Sequence, residues 1–426
     1  MCPSLPAQDE QKVIWAGAML NVVEGILEKD VLIVVEGKEI IRISPAADRE
    51  QYDDVLDLSQ YTVLPGLIDC HTHLTGNWYM DLEDFDLYTL PAPSYGIIGT
   101  VNARQTLEAG FTTVRDVASY FFADVALRDA INKNWIPGPR MLVTGPGLSI
   151  TGGHGAMGNW VSPAVEVSAH NNLIEADGVD EMRKMTRHLL KYEVDWIKVF
   201  ATGGFGTHGT VPGAASYTVE EMAVAVDEAR KRGISVAAHA HGAEGIRNAL
   251  LAGVRSIEHG TYLDQGCIDL LKEKQAVLAM DLLATHYDLI ETEQDFSDKD
   301  IEEQEHQEAY DSLARNFLRA YQAGVKMVFA TDAGVYPHGR NAEQFALMKA
   351  AGMTEIDALR TATINAAELL SLSEKTGSIE IGKWADIIAV KGNPLEEIEL
   401  LEEVAFVMKE GKVYKQPGNQ ENAAAN

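Results

Sequence analysis

Six ionisable side chains stand at or near the carboxyl ends of short apolar runs that are spread along this 426-residue chain. They are His71, His73, Lys198, His239, His259 and Asp332. His71 and His73 lie two residues apart, so on a strand their imidazoles point to the same side and can bind one ion. Two histidines at this spacing are often unrelated, and it is the four further residues that favour a metal site. Nitrogen and carboxylate ligands without a thiolate favour zinc, manganese, iron or cobalt, and zinc is the usual one.

The elements that must position these residues form an alternating pattern. Eight apolar runs alternate with amphipathic segments such as AEGIRNALLAG, in which apolar residues recur three or four apart and a glycine ends the run. Eight repeated βα units predict an α/β fold, the (β/α)8 TIM barrel, in which all strands end at one face. The six residues would meet there. The predicted strands are 67–73, 111–117, 140–145, 195–201, 235–241, 255–260, 276–281 and 326–332.

Sequence typical of β-strands at both ends of the chain predicts a second, smaller domain. Short apolar runs separated by Gly, Asn and Asp extend from Val13 to about Val63. Similar runs occur near the other end of the chain, in ADIIAVKGN and VAFVMKEGKVY. We expect residues 1–62 and 376–415 to form a small β-sandwich domain from both termini, and residues 63–375 to form the catalytic barrel. The polar tail at 416–426 is expected to be disordered.

Composition and charge exclude several classes of protein. Hydrophobic residues make up 46% of the chain and no segment approaches the roughly 20 apolar residues of a membrane span. The chain has 64 acidic and 35 basic residues, and its net charge of −29 repels nucleic acid and anionic lipid. Three cysteines without a CxxC pair, and an amino terminus without a secretory signal, predict a reducing, cytoplasmic location unless a signal peptide was removed.

Lys198 is the odd member of the set, because a protonated amine repels a cation. It could be a barrel lysine that is paired to an acid. Alternatively, carbon dioxide adds to the amine and gives a carbamate, a carboxylate that can bridge two ions. Charge favours the carbamate, because two divalent ions carry four positive charges. The carbamate, Asp332 and a bridging hydroxide would reduce the net charge of the site to one.

Five motifs, in this order, resemble the amidohydrolase superfamily. They are PGLIDCHTHL, WIKVFATGG, VAAHAHG, SIEHGTYLD and FATDAG, and the likeness covers about residues 13 to 415. GHG at 153–155 and the late GSIEIGKWADIIAV are also similar to the superfamily. Within it the sequence most resembles the prolidase-like group, which includes imidazolonepropionase-related enzymes, Xaa-Pro and Xaa-Arg/Lys dipeptidases and ochratoxin-degrading amidohydrolases.

The resemblance implies two divalent metal ions, expected to be Zn2+, and carbon dioxide bound as the carbamate on Lys198. On this resemblance the ions would supply a hydroxide for attack on the scissile carbonyl, and Asp332 would take its proton as general base and return it to the leaving amine. The resemblance also implies a homo-oligomer, up to an octamer. It divides the ligands between the more buried ion, with His71, His73, Lys198 and Asp332, and the more exposed ion, with carboxylated Lys198, His239 and His259.

Substrate specificity is expected in the loops that follow the strands. His154 lies in the glycine-rich loop TGGHG, and the resemblance implies that it contacts a carboxylate or carbonyl of the substrate. A loop histidine that is simply solvated is the alternative. His241 shares the side of the strand that His239 occupies, but the resemblance assigns metal binding to His239, so we expect His241 behind the metal ligands or in the pocket wall.

Three further residues could bind the carbonyl or an anionic end of the substrate. They are Tyr217, His338 and Arg340. Tyr217 could equally be a packed core residue, and Arg340 could form a salt bridge at the start of a helix. Tyr262 and His208 are weaker candidates. An acidic and aromatic insertion at 81–95 could cap the mouth of the barrel or form an oligomer contact.

We therefore expect a binuclear metal-dependent hydrolase of C–N amide bonds. It would be a dipeptidase or amidase acting on a small-molecule amide: a dipeptide or an N-acyl amino acid, ochratoxin-like amides included. The alternatives are a deaminase or cyclic-amidine hydrolase of the same fold, a lactonase or phosphotriesterase, and a non-catalytic scaffold. Mononuclear deaminases of this fold usually lack the carboxylated lysine and use a glutamate after the fifth strand, where this chain has Ala243.

Overall fold

A computed structural model describes residues 11–76, 90–156, 159, 174–205, 207–292 and 299–418, and within 288–292 and 299–305 it describes the backbone alone. The strands in these ranges are β1 (Gln11–Asn21), β2 (Ile26–Glu36), β3 (Glu39–Pro45), β4 (Leu56–Pro65), β5 (Leu67–Thr72), β6 (Phe111–Asp116), β7 (Arg140–Val143), β8 (Leu148–Ser149), β9 (Ile174–Glu175), β10 (Trp196–Phe200), β11 (Ser235–Gly242), β12 (Ser256–Tyr262), β13 (Val277–Met280), β14 (Met327–Phe329), β15 (Ile387–Val390), β16 (Phe406–Lys409) and β17 (Lys412–Lys415).

The helices in the same ranges are α1 (Ala92–Glu108), α2 (Ala123–Asn132), α3 (Gly178–Lys191), α4 (Val219–Arg230), α5 (Ala243–Ala252), α6 (Gln265–Lys274), α7 (Leu282–Thr292), α8 (Lys299–Gln322), α9 (Gln344–Ala350), α10 (Glu355–Thr361) and α11 (Ile364–Leu369). Short 3-10 helices cover Ala46–Gln51, Tyr120–Phe122, Asn341–Glu343 and Ile398–Glu402.

The predicted TIM barrel is confirmed, and each of its eight strands overlaps a predicted one. Strands β5, β6 and β7 pair in parallel, and β10 to β14 form a second parallel set that the short strands β8 and β9 extend. Two seams join these sets. His73 N–H donates to the Ala333 carbonyl (2.8 Å) beyond β14, and Asp195 N–H, just before β10, donates to the Val143 carbonyl (2.8 Å) of β7. The carboxyl ends of all eight strands therefore lie at one face.

The helices around the barrel begin and end where the sequence provides caps. At the start of α4, the Thr218 side chain accepts from Glu221 N–H, while the Glu221 side chain accepts from Thr218 N–H. This capping box stabilises a helix by about 1 kcal/mol. Helix α5 ends at Gly253, whose φ of 94° is a left-handed conformation that glycine adopts without strain.

Strands from both termini form one seven-stranded sheet in the order β17-β16-β15-β4-β1-β2-β3. The antiparallel pairing of β15 with β4 joins the two parts of the chain. Edge strand β3 is also bonded to the segment that enters β15, because Ile40 N–H donates to the Lys383 carbonyl (2.9 Å). The sheet thus curls around the core of the expected small β domain, in which residues such as Ile33 and Phe406 are buried.

The chain passes from this domain into the barrel through one residue, Gly66, between β4 and β5. A Cβ at this position would lie 2.2 Å from Thr112 Oγ1, so a residue without a side chain lets the two domains approach closely. Residues 419–426 of the predicted tail and residues 81–89 of the predicted insertion lie outside the described residues. Across the described ranges, the structure has no helix with both the length and the apolar character needed to cross a membrane.

A buried ion pair links the barrel to the β domain, and we expect it to be a major contributor to stability. Arg140, at the start of β7, donates to Asp386 (2.9 Å), whose side chain is fully buried. Replacing Asp386 by Ala leaves this largely buried arginine with the more exposed Glu410, 3.1 Å away, as its remaining ion-pair partner in the described part of the chain. The free energy of unfolding in urea should then fall by about 3 kcal/mol or more.

The matched control for this prediction is Arg230→Ala, which removes an exposed ion pair with Asp227 on α4. Exposed pairs of this kind contribute less than about 1 kcal/mol. If both variants lost the same stability, the Arg140–Asp386 pair would contribute no more to the free energy of unfolding than an exposed ion pair does.

Candidate metal centre

The six predicted metal ligands converge at the mouth of the barrel. Three groups of side chains in the described part of the chain hold their ligand atoms within 4.8 Å of one another. The groups are His71, His73 and Asp332; His239, His241 and His259; and His259, Asp281 and Asp332. Lys198, on β10, is 1% exposed. It lies close enough to His71 and Asp332 to interact electrostatically with both side chains.

The first group surrounds the carboxylate of Asp332. Its Oδ1 lies 3.2 Å from Nε2 of His71 and 2.9 Å from Nε2 of His73. Both rings therefore direct the same nitrogen toward one point, as a shared ion requires. Asp332 has a φ of 59°, a left-handed conformation that is uncommon outside glycine and that costs roughly 1–3 kcal/mol. Strain of this kind is concentrated at functional sites.

The second group contains one residue more than we predicted. The rings of His239 and His259 are 4.5 Å apart, and His241 is stacked on His259 with ring centres 4.7 Å apart. We expected His241 behind the metal ligands or in the pocket wall. The structure places it within ligand distance of the other two histidines, while its Nδ1 is 2.8 Å from Thr261 Oγ1.

Hydrogen bonds fix which ring nitrogen each of three histidines turns toward the centre. His71 Nδ1–H donates to Glu258 (3.1 Å), and His259 Nδ1–H donates to Asp281 (2.8 Å). Both rings therefore turn Nε2 toward the centre, where that of His71 lies 3.2 Å from Asp332 Oδ1. His239 is held the other way, because its Nε2–H donates to the Gly203 carbonyl (3.2 Å) and leaves Nδ1 free. Partners of this kind orient the ligands of metal sites.

Sequence reasoning missed Glu258 and Asp281. Asp281 directly follows β13, so the rule that identified the other strand-end residues also applies to it. Glu258 gives no such signal, because its partner comes from a distant strand. It accepts from Arg115 of β6 at 2.8 and 2.9 Å, and both side chains are fully buried. Burial opposes the charge of Glu258, yet the guanidinium of Arg115 holds the pKa of this carboxyl well below its usual value.

Burial also sets the protonation of the possible ligands. It lowers the pKa of His239 and of His259 well below the ordinary value, so both imidazoles are neutral and have a lone pair to donate. Burial lowers the pKa of Lys198 to about 8. Roughly a tenth of this amine is therefore neutral at pH 7, far more than for an ordinary lysine, and the neutral amine is the form that adds carbon dioxide.

The predicted substrate contacts are divided between the mouth and the surrounding core. The ring of His154 lies 4.5 Å from His239, and its Nδ1 is 2.8 Å from Thr207 Oγ1. A Cβ at Gly204 would lie 2.4 Å from the same ring, so glycine there allows His154 to reach the centre. His338 is buried, with Nε2 3.4 Å from the Gly76 carbonyl.

The structure assigns other contacts to the remaining candidates. The Tyr217 hydroxyl donates to the Ala176 carbonyl (3.1 Å), and the side chain is 1% exposed, as expected of a packed core residue. Arg340 donates to Glu343 at 2.6 and 2.8 Å, which is the salt bridge of the alternative interpretation. His208 is exposed, and Tyr262 is 36% exposed at the end of β12.

A divalent metal fits this donor set. The described residues at the centre offer imidazole nitrogens and a carboxylate, without a thiolate. Asp332 Oδ1 is buried and lacks a hydrogen bond of acceptable geometry in the described part of the chain, as is common for an oxygen whose partner is a cation. His71, His73 and Asp332 could hold one ion, and Lys198, His239 and His259, with His241 beside them, could hold another.

Comparison with known proteins agrees with this geometry. The pattern of the Amidohydrolase family matches residues 62–414. The chain belongs to this family. It is 33% identical to ochratoxinase of Aspergillus niger over 97% of this chain and 89% of the relative. It is also 26% identical to imidazolonepropionase of Sphingopyxis alaskensis, over 91% of this chain and 94% of the relative.

A solved structure supports the same family assignment. An Xaa-Pro dipeptidase with methionine bound in its active site has 33% identity and a TM-score of 0.88, and the match covers 95% of this chain and all of that protein. This amidohydrolase is therefore a hydrolytic enzyme, and its histidine and aspartate clusters could hold a divalent metal.

The Arg115–Glu258 pair should be required for stability whether or not metal is present. Arg115→Met leaves the fully buried Glu258 without its compensating charge, so we expect a loss of about 3–5 kcal/mol. Urea denaturation in the presence of a chelator measures this loss. The double variant Arg115→Met/Glu258→Met removes both charges and should recover much of it, whereas a double variant as unstable as the single one would contradict this account.

Proposed function

We propose that this amidohydrolase cleaves the C–N amide bond of a dipeptide or an N-acyl amino acid. The observation that carries the proposal is the convergence of two ligand groups that share one end of the barrel, with Asp332 in contact with both His71 and His73. The similarity to an ochratoxinase and to an Xaa-Pro dipeptidase supports an amide that joins an acyl group to an amino acid.

We further propose two divalent ions, expected to be zinc, and a carbamate on Lys198. His71, His73 and Asp332 would hold the more buried ion, while His239 and His259 would hold the other, and the carbamate would lie between them. Such ions supply an activated water and polarise the scissile carbonyl. The burial of Lys198 and its lowered pKa support the carbamate, because they favour the neutral amine.

Asp332 is the residue placed to move the proton. Its side chain is 13% exposed, whereas that of His71 is 1% exposed, so the carboxylate reaches both the ligand histidines and the open mouth. In this position it can accept a proton from the attacking water and return it to the leaving amine. His154 can donate a hydrogen bond without carrying a charge, because burial lowers its pKa to about 3.

Asp332→Asn should abolish turnover without loss of the fold. The amide preserves the size of the side chain but cannot accept the proton, so kcat should fall by at least about 10²–10⁴-fold. Steady-state hydrolysis of a library of dipeptides and N-acyl amino acids measures this effect, and thermal unfolding serves as the check on folding. An Asn variant that keeps most of the wild-type kcat would exclude Asp332 as the proton carrier.

An aromatic surface lines the approach to the outer ligand group. Phe205 packs edge-on against His241, with ring centres 4.8 Å apart. Tyr262 and His306 lie 6.4 and 6.2 Å from the same ring. Phe205 is only partly buried, so its free face is available to a substrate. We propose that this surface receives an apolar or aromatic side chain of the substrate.

Phe205→Ala should therefore reduce the preference for substrates with an aromatic side chain and leave the cleavage step itself intact. The loss of the ring removes apolar contact worth about 1–2 kcal/mol, so kcat/KM for an N-acyl-phenylalanine should fall about tenfold more than for the matching N-acyl-alanine. Trp135→Ala, a change at a ring that is 73% exposed, is the control. Equal losses on both substrates in the Phe205 variant would show that the ring does not contact the side chain.

Hydrolysis of a C–N bond within a ring is the second candidate function. It is favoured by the similarity to imidazolonepropionase across 91% of this chain. The two candidates are separated by the substrate screen itself, because a cyclic substrate gives one product whereas a dipeptide or N-acyl amino acid gives two.

A further inference from the structure

We propose that Asp281 is a positioning residue for the outer metal ion and that its charge brings the two-metal centre to neutrality. The inference rests on the proposed function in that two divalent ions, a carbamate on Lys198 and a shared hydroxide occupy the centre. It concerns a residue outside the predicted ligand set. It is also independent of which amide the enzyme cleaves.

The geometry of Asp281 is that of a carboxylate behind a ligand histidine. The residue follows β13 at the mouth of the barrel and is 4% exposed. Its Oδ1 lies 2.8 Å from Nδ1 of His259 and accepts the proton of that nitrogen. His259 is thereby held with Nε2 as the free nitrogen. The hydrogen bond also fixes the ring at a residue whose φ is 70°, a conformation that is uncommon outside glycine.

Glu258 orients the ring of His71 in the same way. Unlike Asp281, however, Glu258 has an arginine that neutralises its charge. Arg115 donates two hydrogen bonds to Glu258, so the pair is neutral and adds no net charge to the centre. Asp281 accepts its hydrogen bond from the neutral ring of His259, and no lysine or arginine in the described ranges forms an ion pair with it. Burial and the nearby Asp332 carboxylate raise the pKa of Asp281, so a cation at the centre would be what keeps this carboxylate charged.

Charge counting shows why this matters. Two divalent ions carry four positive charges, and the carbamate of Lys198, Asp332 and a shared hydroxide bring the total to one. A buried centre with one excess positive charge is costly to desolvate. Asp281 supplies the missing negative charge, and its ligand atom lies within 4.8 Å of those of His259 and Asp332.

Two substitutions separate the orientation of His259 from the charge. Asp281→Asn preserves a side-chain oxygen that can accept from His259 Nδ1–H but removes the negative charge. Asp281→Ala removes both. If the charge matters, the Asn variant alone should weaken metal binding, and the Ala variant should weaken it further.

The test is metal content by mass spectrometry after dialysis of the zinc-loaded, full-length protein against graded concentrations of a chelator. Wild type should retain two ions per chain. Asp281→Asn should lose one of them at roughly tenfold to 100-fold lower chelator strength, with the second ion and the melting temperature of the metal-free protein unchanged. Asp264→Asn, a change at an exposed helix cap outside the centre, should behave as wild type.

An Asp281→Asn variant that retains both ions with wild-type affinity would overturn the proposal. Because the readout is metal affinity, this outcome is distinct from a failure of the proposed function. A wild-type protein that binds two ions yet hydrolyses no amide would refute the amidase assignment and leave the role of Asp281 standing.

Discussion

The site depends on the seam that closes the barrel between its last and first strands. Asp332 N–H, beyond β14, donates to the His71 carbonyl (2.9 Å) of β5. The same backbone contact that completes the cylinder therefore sets the Asp332 carboxylate against the imidazoles of His71 and His73. Asp69 strengthens the seam, because its buried carboxylate accepts from Asn341 (2.8 Å) and from the Thr331 hydroxyl. Fold and chemistry are coupled here, because the contact that closes the barrel also positions the Asp332 carboxylate.

Buried charge is the second constraint on the molecule. The interior beneath the mouth contains Arg115, Glu258 and Lys198 where many barrels have only aliphatic layers. The first two neutralise each other, and the guanidinium of Arg115 also lies 4.6 Å from the Trp196 ring. Lys198 lies 5.8 Å from the Phe200 ring but forms no ion pair within the described residues, and burial shifts its pKa downward. A buried lysine with a lowered pKa can lose its proton and be modified, whereas the arginine remains charged.

The sequence predicted the barrel and its ligand positions because parallel strands end at one face, so residues far apart in the chain must meet. Asp281 obeys the same rule and could have been found. Glu258 could not, because its pairing with Arg115 connects strands that lie more than a hundred residues apart, and sequence spacing does not specify such contacts. Tyr217 shows the reverse case, since its position after a strand suggested the pocket while its hydroxyl is bonded in the core. Side-chain direction beyond the strand ends depends on packing that a single sequence does not contain.

The central claim is that two cations share one modified lysine at the mouth of the barrel. Anomalous diffraction from crystals of the zinc-loaded protein tests it most directly. We predict two peaks, one beside His71 and His73 and the other beside His239 and His259, with additional electron density on Nζ of Lys198 that connects them. A single peak, or an unmodified Lys198 directed away from both metals, would contradict the account.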